Sequence, residues 1–177
     1  MIKRAKKVER LVEQLLEQYN ISSPPIDVFS IAKNKDIDII QGDLGDVSGI
    51  LLREVSQVTI GVNQNHSETR KRFTIAHEIG HFILHGDETL HVDKVFAIKL
   101  RNQVSSEAID LGEIEANTFA AELLMPTSMV HQKIQELPEV LDYEKDVIIS
   151  NMAKVFNVSQ QAMTIRLIHL GYIKDSI

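Results

Sequence analysis

Hydrophobic positions along the chain change period several times, and each change marks an element. Ala5, Val8, Leu11, Val12, Leu15, Leu16 and Tyr19 recur every three or four residues and predict an amphipathic helix. Lys3, Lys6, Lys7 and Arg10 share another face of it, either a solvated surface or a docking patch for an acidic partner. Ser22-Ser23-Pro24-Pro25 breaks this helix, and Asp27 is placed to cap a short second one through Lys33. Ile37 to Ile40, Gly49 to Leu52 and Val58 to Val62 are short, β-branched and punctuated by glycine, which predicts a small, mostly antiparallel sheet. A further strand is expected from Val92 to Leu100, a candidate sheet edge open to backbone pairing with an added chain.

Asn65, with Glu68 three residues later, predicts a capping box for a helix over Arg70 to His85. On a wheel of about 100° per residue, Arg70, Thr74, His77, Glu78, His81 and His85 fall in one arc. Phe73, Ile75, Ala76, Ile79, Gly80, Phe82, Ile83 and Leu84 cover the rest. A helix so apolar elsewhere should be buried, with its polar stripe facing a cleft or a metal, because unpaired polar groups in a core are costly. His77-Glu78-Ile79-Gly80-His81 is an H-E-x-x-H pattern. Its two imidazoles lie one turn apart and can grip one zinc ion, with Glu78 beside it. Zinc brings the pKa of a bound water to about 7, within reach of a carboxylate base.

Such a metal wants a third protein ligand. His85 lies about 12 Å from His77 along the axis, too far for one ion. Asp87 stands where another class of these enzymes has its last histidine, but Leu84 replaces the glycine that would turn the chain. The better candidate is in EIEANTFAAELLM, Glu113 to Met125. Ala116, Phe119, Ala120, Leu123 and Leu124 form an apolar stripe, Glu113 projects inside it, and Glu115 and Glu122 point the other way. A carboxylate on a core face needs a partner, and a metal satisfies it. Glu115 is the alternative ligand, and Glu113 as a mere acid at a helix N-terminus is the structural one. Asn117, one turn on, is placed to orient Glu113 or a ligand histidine. Ala116, Ala120 and Ala121 would let this helix approach the first closely beside Gly80. Histidine and carboxylate suit zinc but also admit manganese or iron. His66 reads as a surface residue, and neither it nor Tyr143 is tied to the metal by the sequence.

Composition narrows the rest. The 177 residues include no cysteine, which excludes disulfides and Cys-type zinc fingers. A net charge of -6 argues against a general nucleic-acid binder. No apolar run is long enough to span a membrane, and acidic residues interrupt any signal-like start, so a cytoplasmic protein is expected.

Towards the C-terminus, Pro138 to Glu144 reads as a connector. Two helices follow, carried by Ile148, Ile149, Met152, Ala153 and Phe156 and then by Ala162, Ile165, Leu167, Ile168 and Leu170. Ala153, Asn157 and Ser159 fit the small residue, left-handed turn and N-cap of a helix-turn-helix unit. Yet residues 159–170 carry one full positive charge, Arg166, so packing or partner docking is favoured over direct DNA contact. His131 and His169 read as ordinary surface or packed histidines.

RFTIAHEIGHFILH (Arg72 to His85) and EIEANTFAAELLMP (Glu113 to Pro126), in this order and separation, resemble the ImmA/IrrE family of zinc metallopeptidases. The resemblance extends more loosely from the first helix to about residue 130, and VSQQAMTIRLIHLG resembles the tail of many members. It implies an α+β, zincin-like (gluzincin-type) domain over residues 1–130, with 131–177 a helix-turn-helix-like segment packed on it. It implies zinc held by His77, His81 and Glu113, with Glu78 the general base. The implied function is endopeptidase cleavage of a protein partner, a helix-turn-helix repressor. The alternative is a non-catalytic zinc-containing regulator that binds DNA or sequesters a repressor. Some larger members carry a sensor domain, for which this chain is expected to be too short.

Overall fold

The structure is a computed structural model, and it describes residues 2–86, 90–93, 111–137 and 145–174. The chain forms two compact units, one of residues 27–120 and one of residues 1–26 with 121–177.

The first unit starts at Asp27, whose carboxylate accepts from the Phe29 and Ser30 amides at 3.0 and 3.1 Å. This is the cap expected for the short second helix, α2 (Val28–Asn34). The three expected strands follow as β1 (Ile37–Gly42), β2 (Gly49–Arg53) and β3 (Val58–Asn63). With β4 (Leu90–Asp93) they form a sheet in the order β1-β3-β2-β4. β2 pairs antiparallel with β3 and with β4. β1 and β3, however, run parallel, so the expectation of an antiparallel sheet is corrected at that pair. The cause is the connector 43–48, which carries the chain past the end of β3 and leaves β3 in the middle. Asn63 pins it there. Its side-chain amide donates to Gly45 O and Val47 O, both at 2.9 Å, and its backbone N–H to Ser48 O at 3.1 Å. Gly45 makes the turn at φ +58°, a region that glycine enters without cost.

The central helix, α3, spans Glu68–Leu84. Its N-cap is Ser67, not the expected Asn65: the Ser67 hydroxyl accepts from Arg70 N at 3.4 Å. Asn65 is held one turn earlier, its N–H on Asn63 Oδ1 at 3.0 Å, so the helix begins after that Asx turn. As expected, α3 is buried over most of its length, including Thr74, His77, Glu78 and His81. Leu51, Ile60 and Val62 of the sheet are buried with Ile75, Ala76 and Ile79 of the helix. Close approach is bought with glycine. A Cβ on Gly49 would run into the Thr74 methyl and stand 3.0 Å from Glu78 Oε1; one on Gly80 would stand 3.2 Å from Ala116 Cα and Phe119 Cβ. Helix α4 (Leu111–Leu124) therefore crosses α3 at Gly80, as the small residues imply.

In the second unit, α1 (Ile2–Gln18) buries Val8, Val12, Leu15 and Leu16. It ends at Gln18, and Asn20, left-handed at φ +56°, turns the chain before the Ser-Pro run is reached. After Pro126 come α5 (Thr127–Gln135), α6 (Lys145–Phe156) and α7 (Gln160–His169). Between the last two, Asn157 is left-handed at φ +52° and the Ser159 hydroxyl caps α7 by accepting from Ala162 N at 3.1 Å. Glu122, expected to point away from the apolar stripe of α4, is not exposed there. It is buried, accepts from Thr127 N at 2.8 Å and is paired with Arg166. Pro126 turns the chain so that the Thr127 amide comes back onto the carboxylate. Arg166 also donates to Met125 O at 3.0 Å and Thr127 Oγ1 at 2.9 Å. The one full charge on α7 is thus spent inside the fold. Among the described residues, no helix is long and apolar enough to cross a membrane.

Candidate metal centre

Three elements of the first unit converge on one point. α3 supplies His77 and His81, whose Nε2 atoms face each other at 3.1 Å. α4 brings in Glu113, with Oε1 3.3 Å from His81 Nε2 and Oε2 3.8 Å from His77 Nε2. β4 adds His91, its Nε2 3.1 Å from Glu113 Oε1 and its ring stacked on that of His81 with centroids 3.6 Å apart. One donor atom from each of the four lies within 4.8 Å of all the others. Donors about 2.1 Å from a tetrahedral ion stand about 3.4 Å from one another. The separations of 3.1–3.8 Å between the donors on α3 and α4 bracket that value, so the residues present fit a metal of nitrogen and oxygen preference.

The protonation state suits it as well. Burial, then the neighbouring His81, pushes the His77 pKa down to about 4, against the pull of Glu113. Hydrogen bonds from His81 and then His91 hold the Glu113 carboxyl well below its usual range. Neutral imidazole and ionised carboxylate are the forms that bind metals. Asn117 Oδ1 lies 3.0 Å from His77 Nδ1. By accepting a hydrogen bond from Nδ1–H it keeps the ring proton there and leaves the Nε2 lone pair facing the cluster. Glu78, one residue past His77, is fully buried where Gly49 of β2 leaves room for its carboxylate.

The model of the Peptidase_M78 family, described as the IrrE N-terminal-like domain, matches residues 32–167. The chain belongs to this metallopeptidase family. Curated relatives of the M78 chain include metallopeptidase ImmA of Bacillus subtilis (strain 168), 27% identical over 175 residues, 98% of this chain and 91% of that protein. Uncharacterized immunity region protein 2 of Bacillus phage phi105 is 30% identical over 126 residues, 71% of this chain and 72% of that one. Among solved structures, a Mycobacterium tuberculosis transcriptional regulator superposes with a TM-score of 0.61 at 16% identity. It covers 92% of this chain, which spans 46% of the regulator's length; that likeness is one of fold alone.

The structure thus brings together His77, His81 and Glu113 of the M78 chain, with Asn117 behind His77. It does not bring in Glu115, whose Oε2 is 3.9 Å from His85 Nε2, nor His85 itself. His66 is also outside the group; burial, then Arg70, lowers its pKa. Asp87 and Tyr143 lie outside the described residues. His91 escaped the sequence reading, because the strand was expected to begin at Val92 rather than Leu90. Of the expected strand, 94–100 lies outside the described residues. Alternation was the available signal: His91 pairs with buried Leu51, while Leu90 and Val92 turn outward.

Proposed function

We propose that the chain is a zinc-dependent endopeptidase that cleaves a protein partner, a helix-turn-helix transcriptional repressor, in the cytoplasm. The observation that carries the reading is the meeting of Glu113 with the H-E-x-x-H pair across α3 and α4. His77, His81 and Glu113 would hold the metal, in the gluzincin manner. Bound there, zinc supplies Lewis acidity, polarising a carbonyl and bringing the pKa of water within reach of a carboxylate. Glu78 takes the water's proton and passes it to the leaving amine. Asn117 holds the His77 tautomer. β4, at one end of the sheet order, is the strand beside which an extended substrate would lie, paired through its backbone.

The alternative, a non-catalytic regulator that binds DNA or sequesters a repressor, rests on the turn between α6 and α7. Direct DNA contact is weakened by Arg166, which is occupied by Glu122, Met125 and Thr127. The test compares new protein N-termini, by mass spectrometry, in cells expressing the wild type and Glu78→Gln. The reading expects new termini in a helix-turn-helix repressor with the wild type only, although both forms carry zinc. The same termini with both forms contradicts it.

A further inference from the structure

The cluster has one donor more than hydrolysis needs. A catalytic metal of this type has three protein ligands and keeps a fourth position for water and substrate. We propose that His91 is a fourth protein ligand, so that the conformation described here is a closed, latent form that opens when β4 withdraws this side chain. The inference rests on the metal-centre reading above.

Distance separates this role from that of a group serving the substrate's oxyanion. Such a group must leave room for an oxygen between itself and the metal, one coordination bond of about 2.1 Å and one hydrogen bond of about 2.8 Å away. His91 Nε2 instead lies 3.1 Å from Glu113 Oε1 and within 4.8 Å of the donors of His77 and His81. A spacing of 3.1 Å suits two atoms sharing one ion, close to the edge of a tetrahedron of donors. The flat stack on His81 holds the ring in that place.

β4 is built to release His91. It has four residues, ends the sheet order among the described residues, and is laddered to β2 through Leu52–Leu90 to Gly49–Asp93. Its neighbours Leu90 and Val92 are 55% and 37% exposed, so His91 is the described side chain of the strand that faces inward. Opening the site therefore breaks one coordination bond and swings one side chain away, keeps β4 in the sheet for a substrate to pair with, and leaves the α3–α4 crossing at Gly80 untouched.

X-ray absorption fine structure on protein carrying one zinc counts the imidazoles. Three are expected in the wild type and two in His91→Ala and His91→Gln. In the cobalt-substituted forms, acetohydroxamate should shift the visible spectrum of either variant at a concentration at least about tenfold lower than it needs for the wild type, because a closed site lowers apparent affinity by the fraction open. Two imidazoles in the wild type, or equal hydroxamate affinity in all forms, overturns the inference and leaves the three-ligand centre standing. The wild-type count requires no variant to fold. A wild type that takes up no stoichiometric zinc overturns both readings.

Discussion

Replacing Asn117 with leucine should weaken zinc binding about 10–100-fold, or about 1.4–2.7 kcal/mol. The magnitude follows from one contact, Asn117 Oδ1 to His77 Nδ1 at 3.0 Å. A side-chain hydrogen bond contributes about 0.5–1.5 kcal/mol net. This one also selects the tautomer: without it the ring proton can sit on Nε2, where it blocks ligation. The bond raises the basicity of an imidazole that burial, His81 and His91 otherwise depress, so its loss lowers ligand strength further. Leucine keeps the volume and a high helix propensity, so the fold should persist. Asn117→Asp keeps an acceptor, now charged, and should hold zinc at least as well as the wild type. A chromophoric chelator competing for zinc at neutral pH measures both variants, and melts of the metal-free proteins check folding. Zinc affinity of Asn117→Leu within about threefold of wild type would refute the reasoning, as would an Asn117→Asp variant as weak as the leucine one.

Arg166→Ala should cost about 3–5 kcal/mol in urea denaturation, because it strands the buried Glu122 carboxylate, whereas Glu122→Leu with Arg166→Met should recover most of the loss. A single-variant loss below about 1 kcal/mol would show the pair to be dispensable. Gly49→Ala pushes a methyl into Thr74 and Glu78 and should lower thermal stability by about 1–3 kcal/mol, with Thr74→Ser relieving part of it; an unchanged melt would contradict the close approach of β2 to α3. The metal-free protein should be most stable above pH 6.5 and lose stability toward pH 4, because the unfolded chain protonates His77 first; below about pH 4.5 the depressed Glu113 adds to the loss. Urea midpoints that do not change between pH 8 and pH 4 would contradict this.

Helices α3 and α4 were legible because both carry chemistry on an otherwise apolar cylinder. His77, His81 and Glu113 stand out as polar groups on surfaces that must be buried, and the structure buries them. Small residues at Gly80 and Ala116 forecast the crossing that joins the two helices. What the pattern could not carry was pairing across the chain. The parallel β1–β3 pair depends on a connector pinned by Asn63, and no strand-by-strand alternation records that choice. Glu122 read only as pointing away from the apolar stripe because its partners, Thr127 and Arg166, lie beyond the proline that ends its helix. Asn65 lost the cap to Ser67 through a side-chain bond from Asn63, a competition among neighbouring Asx and serine residues that spacing leaves undecided. His91 was missed by a boundary error of two residues at the start of β4, enough to leave it outside the strand whose alternation would have turned it inward.

The central claim is that one metal ion is held where α3 and α4 meet. Elemental analysis of protein purified without added metal, set beside a His77→Ala/His81→Ala double variant, tests it most directly. The account predicts one zinc per wild-type chain and none in the double variant with its fold intact. Zinc retained undiminished by the double variant, or absent from the wild type even after loading, would contradict it.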